Sequence, residues 1–255
     1  MRPFVVIPTR TGDLLHLHLY AHVLYSPSDI GVIVVDTSQK KDVEDCTVKE
    51  AVNMHRKSFA SLTYLDMREK FPWYGQALNV GAREAIRLGA THIVPSNDDV
   101  VVMPDWVRTF GEDLERIDEA GYKVGILGAC SNAISGPQLC VGGGLPYRNG
   151  PIRGPQHCPR VVTIFAIIPS GAYAESGGFD DALPAHNFSD DTISARMIRK
   201  GYSNWMSRVF VAHAGSRTLD VTGKGYSIDM AAGQTYFRKH YPDYEELLQR
   251  KPVKA

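Results

Sequence analysis

The sequence has no excess of charge of either sign. Lysine plus arginine number 28 and aspartate plus glutamate also number 28 among the 255 residues, so the formal net charge is zero. A balanced chain creates no overall field that would draw it to nucleic acid or to an anionic membrane. Any site for a polyanion must therefore be local.

Long apolar runs and a dense cysteine framework are also missing. No stretch reaches the roughly 18 consecutive apolar residues of a membrane span, and residues 1–8 lack the apolar core of a signal peptide. We therefore expect a cytoplasmic protein. The four cysteines form no C-x-x-C pair, which argues against a zinc site and against a disulfide scaffold.

Short apolar runs alternate with helical segments, which indicates an α/β fold with a Rossmann-like, mostly parallel central sheet flanked by helices. The predicted strands are Phe4–Ile7, Val32–Val35, Leu62–Leu65, His92–Val94, Val124–Leu127, Val161–Ile168 and Trp205–Ala212. The predicted helices are Leu14–Leu24, Gln76–Leu88, a segment from near Asp105, Asp190–Lys200, and a tail from Ser227 onward that Pro242 interrupts. We expect one domain over residues 1–255, with a nucleotide-binding half (1–105) and a smaller acceptor-binding half (106–255).

Polar residues follow four of the predicted strands. They are Pro8–Arg10, Asp36–Ser38, Asp66 and Asp98–Asp99. Ligands of open α/β sheets bind outside the carboxyl ends of the strands, so these residues are predicted to line one edge of one cleft.

The adjacent carboxylates Asp98 and Asp99 are the strongest chemical signal at that edge. Oxygen-only ligands favour Mg²⁺ or Mn²⁺, with a phosphorylated substrate supplying the remaining positions. The alternative is a solvated acidic turn, because such pairs are common in loops. The neighbouring strand ends favour the metal.

The residues at the strand ends and several later motifs, taken in their order along the chain, resemble those of glycosyltransferase family 2. The matching motifs are Pro8-Thr9, Val35-Asp36-Thr37-Ser38, Gly75 with Asn79 and Gly81, Ser96-Asn97-Asp98-Asp99, Gly177-Gly178-Phe179-Asp180, Ser189-Asp190-Asp191 and His213-Ala214-Gly215-Ser216. The resemblance spans nearly the whole chain. It implies a GT-A fold and inverting transfer of a sugar from a nucleotide diphosphate, UDP being favoured, to a hydroxyl of a saccharide or another acceptor.

The resemblance also implies residues that bind the nucleotide-sugar donor. Asp36 would hydrogen-bond the base or the ribose, although a helix N-cap is its alternative role. Further donor-binding residues implied in this way are Pro8, Thr9, Arg10, Gly75, Asn79, Asp98, Arg217 and Lys224. An ordinary helix start would also explain Gly75 and Asn79, and a surface salt bridge would explain Arg217.

The implied metal ligands are Asp99 and His213, with Asp98 contacting the ribose or the metal. A Mn²⁺ or Mg²⁺ ion would offset the charge that develops on the departing diphosphate. The imidazole of His213 would complete the metal shell, although a histidine at a strand end also serves as a structural residue.

Inverting transfer needs a base that takes the proton of the acceptor hydroxyl, and a carboxylate at a helix N-terminus suits that task. Aligning Arg196 and Gly201-Tyr202 with the family places Asp190 at the base position. Ser189 stands where the family has Glu, so Asp191 remains a rival for the base. An acidic N-cap region without catalytic duty is the third possibility.

The acceptor is not identified by the sequence. Aromatic residues that could stack on it are Trp73, Tyr74, Trp106, Tyr147 and Trp205, and core packing is their alternative role. Three other functions remain open. They are glycosylation of a hydroxylated base in DNA, with Arg148, Arg153 and Arg160 as a basic strip; a sugar-nucleotide nucleotidyltransferase, although residues 8–12 hold one glycine only; and a non-catalytic sugar or nucleotide binder.

Overall fold

The computed structural model describes residues 1–39, 46–70, 73–140, 153–214 and 226–254. Within these ranges the chain forms nine strands, eight α-helices and one short 3₁₀ helix, Arg56–Ser58. The strands are β1 (Pro3–Thr9), β2 (Gly31–Asp36), β3 (Ser61–Asp66), β4 (His92–Pro95), β5 (Val100–Val102), β6 (Val124–Ser131), β7 (Gln156–His157), β8 (Ala166–Pro169) and β9 (Ser203–His213). The helices are α1 (Gly12–Tyr25), α2 (Val48–His55), α3 (Tyr74–Arg87), α4 (Trp106–Glu119), α5 (Ser170–Ser176), α6 (Ser189–Arg199), α7 (Tyr226–His240) and α8 (Tyr244–Gln249).

The strands form one sheet in the order β3-β2-β1-β4-β8-β6-β9-β5, with β7 beside β9. The first four strands of that order are parallel, and so are β6 and β9. Strand β8 runs antiparallel between β4 and β6, while β5 and β7 run antiparallel to β9. The predicted α/β class, with a mostly parallel sheet flanked by helices, is confirmed.

Alternation along the strands builds a core on each face of the sheet, because successive side chains of a strand point to opposite faces. Val5 and Ile7 of β1 face the cluster that contains Leu15 of α1. Phe4 and Val6 face the opposite cluster with the residues of α3 and α6. All four β1 side chains are at most 1% exposed, which is why these strands read as continuous apolar runs in the sequence.

Helices α7 and α8 add a smaller cluster outside α6. Phe237, Tyr241, Tyr244 and Leu247 pack there against Ala195 of α6. This cluster attaches the C-terminal helices to the helix that carries Asp190. None of the helices in the described ranges is long and apolar enough to cross a membrane.

One predicted strand is shorter in the structure. We expect a strand over Val161–Ile168, but the strand β8 begins at Ala166. The backbone N–H groups that precede it are bound by side chains instead of by a neighbouring strand: Val161 donates to Ser194 Oγ, and Val162 donates to Gln138 Oε1. Because these donors are already satisfied, the segment needs no strand partner.

Candidate active site

The acidic loop, Asn97–Asp99, links β4 to β5, which are consecutive in the chain but not adjacent in the sheet. Strand β5 runs back beside β9, so Val100 is paired with His213, the last residue of β9. The backbone N–H of Ala214 donates to the Asp99 carbonyl at 3.0 Å. This pairing brings two residues that are 114 positions apart into contact, and His213 Nε2 lies 3.1 Å from Asp99 Oδ1.

The other ring nitrogen of His213 is held by the backbone. Nδ1 lies 2.5 Å from the Ala133 carbonyl, which can only accept, so the ring proton of a neutral imidazole sits on Nδ1. Nε2 then turns its lone pair toward the Asp99 carboxylate. Burial opposes the charged imidazolium, but Asp99 and the Ala133 carbonyl outweigh burial and raise the pKa of His213.

This pair fits a divalent cation. Two acceptors that face each other require a cation between them, either a proton or a metal ion. A separation of 3.1 Å is close to the roughly 3.0 Å between adjacent positions of an octahedron with bonds of about 2.1 Å. The described residues contain no group of three or more His, Cys, Asp or Glu side chains arranged to hold a metal. Asp99 and His213 would therefore supply two of the ligands of such a metal.

Asp98 connects the acidic loop to the end of β1. Its Oδ2 accepts a 2.6 Å hydrogen bond from the Thr9 hydroxyl, and both side chains are buried. The Thr9 carbonyl in turn accepts from the backbone N–H of Thr37 at 2.8 Å. The ends of β4, β1 and β2 are thus linked, as the parallel arrangement predicts.

Asp36 ends β2 with its carboxylate almost fully buried. Oδ1 accepts from the backbone N–H and the hydroxyl of Ser38, and Oδ2 accepts from the Tyr64 hydroxyl at 2.7 Å. Arg68 approaches the same carboxylate at 3.7 Å. Protein hydrogen bonds and Arg68 thus stabilise the Asp36 carboxylate at the place where the nucleotide is expected.

Asp190 lies in the first turn of α6 and is held on one side only. Oδ1 accepts from both the backbone N–H and the hydroxyl of Thr163. Oδ2 has no hydrogen-bond partner among the described residues, and the side chain keeps some exposure. Burial of the carboxyl is the main cause that raises the pKa of Asp190 above its ordinary value; the Thr163 hydrogen bonds oppose it, and the charge of Asp191 adds to it.

Asp191 is committed to structural contacts. Its Oδ1 accepts a 2.7 Å hydrogen bond from Arg160 Nε and another from the Tyr244 hydroxyl of α8. The Asp191 side chain is 12% exposed. Of the two aspartates that the sequence left as rivals, Asp190 has the uncommitted oxygen.

Tyr74 and the residues next to Thr163 connect the acidic loop with Asp190. The Asn97 backbone N–H donates to the Ile164 carbonyl at 2.8 Å, so the residue after Thr163 contacts the acidic loop directly. The Tyr74 hydroxyl donates to Asn97 Oδ1. Burial raises the pKa of Tyr74 well above its ordinary value, and the charges of Asp190 and of the Asp98–Asp99 pair raise it further.

Asn79 and Gly75, two of the residues predicted to bind the nucleotide-sugar donor, make structural contacts instead. All four hydrogen-bonding positions of the Asn79 amide are used: it donates to the Phe179 carbonyl and to Asp181, and it accepts from Phe179 N–H and the Tyr173 hydroxyl. Gly75 packs against Phe179, since a Cβ there would lie 3.1 Å from the Phe179 Cβ. Both residues hold the turn before α6, and the Asn79 amide has no free position for a ligand.

The remaining predicted residues fall into three groups. Pro8 is buried in β1, and Arg10 is partly exposed just after it. Trp106 and Trp205 belong to the core, whereas Trp73 stacks edge-on against His186 at 5.0 Å beside Tyr74. Outside the described residues lie Arg217, Lys224, Tyr147 and Arg148.

Three contacts in this cleft have no signal in the sequence. Thr163 binds Asp190 from 27 positions away, Arg160 pairs with Asp191, and His18 of α1 lies beneath the acidic loop. Short-range patterns cannot reveal such partners, because the contacts depend on how the strands are ordered in the sheet.

No protein-family model matches the sequence, and a search of curated proteins finds no match either. Solved structures do match. The mannosyltransferase PcManGT from Pyrobaculum calidifontis, in complex with GDP-Man and Mn²⁺, is 17% identical with a TM-score of 0.62, covering 99% of this chain and 66% of that one. TarS 1–349 of S. aureus is 13% identical with a TM-score of 0.59, covering 97% and 69%.

TarS 1–349 in complex with UDP-GlcNAc gives a TM-score of 0.57 at 14% identity, over 85% of this chain and 59% of that one. A longer TarS structure gives 0.54 at 14% identity, over 81% of this chain and 35% of that one. This chain thus spans about a third to two thirds of the length of these proteins. It has a glycosyltransferase fold.

Proposed function

We propose that this protein is a metal-dependent, inverting glycosyltransferase that moves a sugar from a nucleotide diphosphate sugar to an acceptor hydroxyl. The observation that carries the proposal is the connection of the Asp99–His213 pair with Asp190 through Thr163, Ile164 and Asn97, together with Asp190 Oδ2, which has no hydrogen-bond partner in the part of the chain that the structure describes. The fold shared with structures that contain GDP-Man and UDP-GlcNAc supports it.

Asp190 is the proposed base. Thr163 holds Oδ1, so Oδ2 can accept a hydrogen bond from the hydroxyl of the sugar acceptor. As the acceptor oxygen attacks C1, its proton moves to Asp190, and the bond between C1 and the diphosphate oxygen breaks with its electron pair leaving on the diphosphate. One displacement of this kind inverts the configuration at C1.

Asp99 and His213 are the proposed ligands of Mn²⁺ or Mg²⁺, with Asp98 beside them. A divalent ion at that place supplies Lewis-acid stabilisation of the charge on the diphosphate. Asp36, Pro8, Thr9 and Arg10 are proposed to line the nucleotide pocket, and the buried Asp36 carboxylate is suited to a base or ribose donor group. Arg217 and Lys224 stay predicted phosphate ligands.

UDP and GDP are the two candidate nucleotides of the donor. The resemblance to glycosyltransferase family 2 favours UDP, whereas the two structural neighbours that hold donors contain GDP-Man and UDP-GlcNAc. A panel of UDP- and GDP-sugars, scored by thermal shift with Mn²⁺ and with EDTA, separates these candidates because a ligand that binds only the folded state raises the melting temperature.

The metal assignment is tested by calorimetry of UDP and GDP with Mn²⁺. The wild type is expected to bind one of them in a Mn²⁺-dependent manner, and Asp99→Asn is expected to lose that dependence because the amide cannot replace a charged ligand. Asp105→Asn, an exposed acidic residue near the same loop, serves as the control. Equal Mn²⁺-dependent affinity in the wild type and Asp99→Asn would refute the metal role. Donor turnover by the wild type rules out a non-catalytic binder.

A further inference from the structure

The imidazole of His18 lies directly beneath the acidic loop. His18 belongs to α1, the helix that follows the nucleotide-side residues Pro8–Arg10, and its side chain is 1% exposed. Nδ1 lies 2.5 Å from the Val100 carbonyl, and Nε2 lies 3.2 Å from Ser96 Oγ. Ser96 and Val100 are the residues on either side of the segment Asn97–Asp99.

The ring has a defined tautomer. Because a carbonyl only accepts, Nδ1 carries the proton, and Nε2 is left as an acceptor facing the Ser96 hydroxyl, whose single proton also lies within reach of the Asn97 carbonyl at 3.1 Å. Burial lowers the pKa of His18 to about 4, so the ring is neutral near pH 7 and offers one donor and one acceptor. The two ends of the acidic loop are therefore joined through one rigid aromatic ring.

Ser96 is fully buried and Val100 is 1% exposed. A buried carbonyl without a partner costs free energy, so an apolar residue at position 18 would leave the Val100 carbonyl without its His18 donor and would remove one of the two partners of the Ser96 hydroxyl, the other being the Asn97 carbonyl. The loop would relax to find other partners. Asp98 and Asp99 sit between these ends, and their carboxylates must keep a fixed position toward Thr9 and His213.

We propose that His18 is a positioning residue that holds Asp98 and Asp99 in the geometry required for metal and diphosphate. This inference rests on the proposed function. His18 touches neither carboxylate in this role; it acts by fixing the backbone carbonyl and the hydroxyl at the two ends of the loop. Groups that support metal ligands from behind typically change metal affinity 10- to 100-fold when they are removed.

His22 provides a matched control on the same helix. It is equally buried and packs edge-on against the His18 ring at 4.7 Å. Its other contacts are with Ser26, Trp106 and Phe165, all outside the acidic loop. A loss of core packing alone would therefore affect His18→Leu and His22→Leu alike.

The test measures the affinity of Mn²⁺ in the presence of UDP or GDP, whichever the wild type binds, together with melting temperature. His18→Leu is expected to weaken the binding of Mn²⁺ about 10- to 100-fold. His22→Leu is expected to lower the melting temperature by a comparable amount but to keep an Mn²⁺ affinity within about twofold of wild type. His18→Asn retains a donor near the position of Nδ1 and is expected to recover most of the affinity.

A double-mutant cycle isolates the second contact. Ser96→Ala is expected to weaken Mn²⁺ binding less in the His18→Asn background than in the wild-type background, because Asn at 18 no longer reaches the hydroxyl, whereas the contact of Ser96 with the Asn97 carbonyl is lost in both. Equal effects of His18→Leu and His22→Leu, or wild-type affinity in His18→Leu, would overturn the positioning role. Absence of Mn²⁺-dependent nucleotide binding in the wild type would instead refute the proposed function and this inference with it.

Discussion

At the scale of single residues, the two neighbouring aspartates of α6 differ in what surrounds them. Asp190 has one oxygen held by Thr163 and one without a partner in the described residues, whereas Asp191 is bound by Arg160 and Tyr244. Adjacent carboxylates on the first turn of a helix point in different directions, so one faces the cleft and the other faces α8. The difference in partners leads to two predictions.

Asp190→Asn is expected to lower the rate of transfer 10²- to 10⁴-fold, the usual contribution of a general base. The amide oxygen can still accept from Thr163, so the fold and the nucleotide affinity should stay close to wild type. Steady-state kinetics and calorimetry measure the two quantities. In Asp191→Asn we expect the reverse pattern, with lower stability and a rate within about tenfold of wild type. Full turnover by Asp190→Asn would remove the assignment of the base.

The pH dependence of transfer should report the environment of Asp190. A base must be deprotonated, so kcat/KM is expected to fall as the pH drops through the pKa of Asp190, which burial raises above its ordinary value. The facing groups are Thr163 and Arg160, which lower that pKa, and Asp191, which raises it. Arg160→Gln removes the positive charge and should shift the acid limb to higher pH.

Arg199→Gln is the control for that profile. Arg199 lies on the same helix and pairs with Asp243 at a more exposed position, so its removal should leave the acid limb in place. An acid limb that does not move in Arg160→Gln, in protein that remains folded, would show that another group controls the profile.

At the scale of elements, the turn between α5 and α6 sets the position of the base helix. Gly177 and Gly178 adopt positive φ angles, and Asn79 of α3 binds the backbone of the next residue, Phe179. Asp180 then accepts hydrogen bonds from Tyr236 and Tyr241 of α7 and the segment after it. This turn therefore joins α3, α6 and α7.

Gly178→Ala is expected to destabilise the protein by about 3 kcal/mol or more. Its φ is +66°, and an added Cβ would lie 2.6 Å from Asn79 Oδ1. Gly201→Ala is the matched control: its φ is +81°, but nothing lies within 4 Å of the added Cβ, so it carries only the backbone strain of about 1–2 kcal/mol. Urea unfolding measures both. Equal losses of unfolding free energy in the two variants would mean that Asn79 moves away from the added Cβ without destabilising the protein.

At the scale of the whole molecule, the balanced charge bears on the acceptor. Arg160, one of the three residues of the basic strip predicted from the sequence, pairs with Asp191 and does not contribute a free positive charge. A zero net charge gives little electrostatic attraction to a duplex, whose affinity for proteins depends on neutralised phosphates. A saccharide or other small hydroxyl acceptor is therefore favoured over a base in DNA.

We accordingly expect no measurable binding of duplex DNA with hydroxylated bases at physiological salt. Fluorescence anisotropy at several salt concentrations tests this expectation, with unmodified duplex as the control. Tight binding that weakens steeply with salt, and more so for the hydroxylated duplex, would revive the DNA-base acceptor.

The sequence by itself determined the α/β class, the positions of most strands and helices, and the set of polar residues at the strand ends. These features follow from local patterns: apolar runs make buried strands, and the carboxyl ends of parallel strands meet at one edge. The short strand β5 and the helix α2 escaped prediction because three apolar residues and a polar eight-residue segment carry little periodic signal.

Only the tertiary structure decided which side chains are free. The Asn79 amide is hydrogen-bonded to Phe179, which lies 100 positions away in the sequence. Asp191 is paired with Arg160, and His18 contacts both ends of the acidic loop. Each of these outcomes depends on a hydrogen-bond partner that is distant in the chain. Such partners meet only after the strands and helices have taken their places in the fold, because the residues of each pair are 31 to 100 positions apart in the sequence.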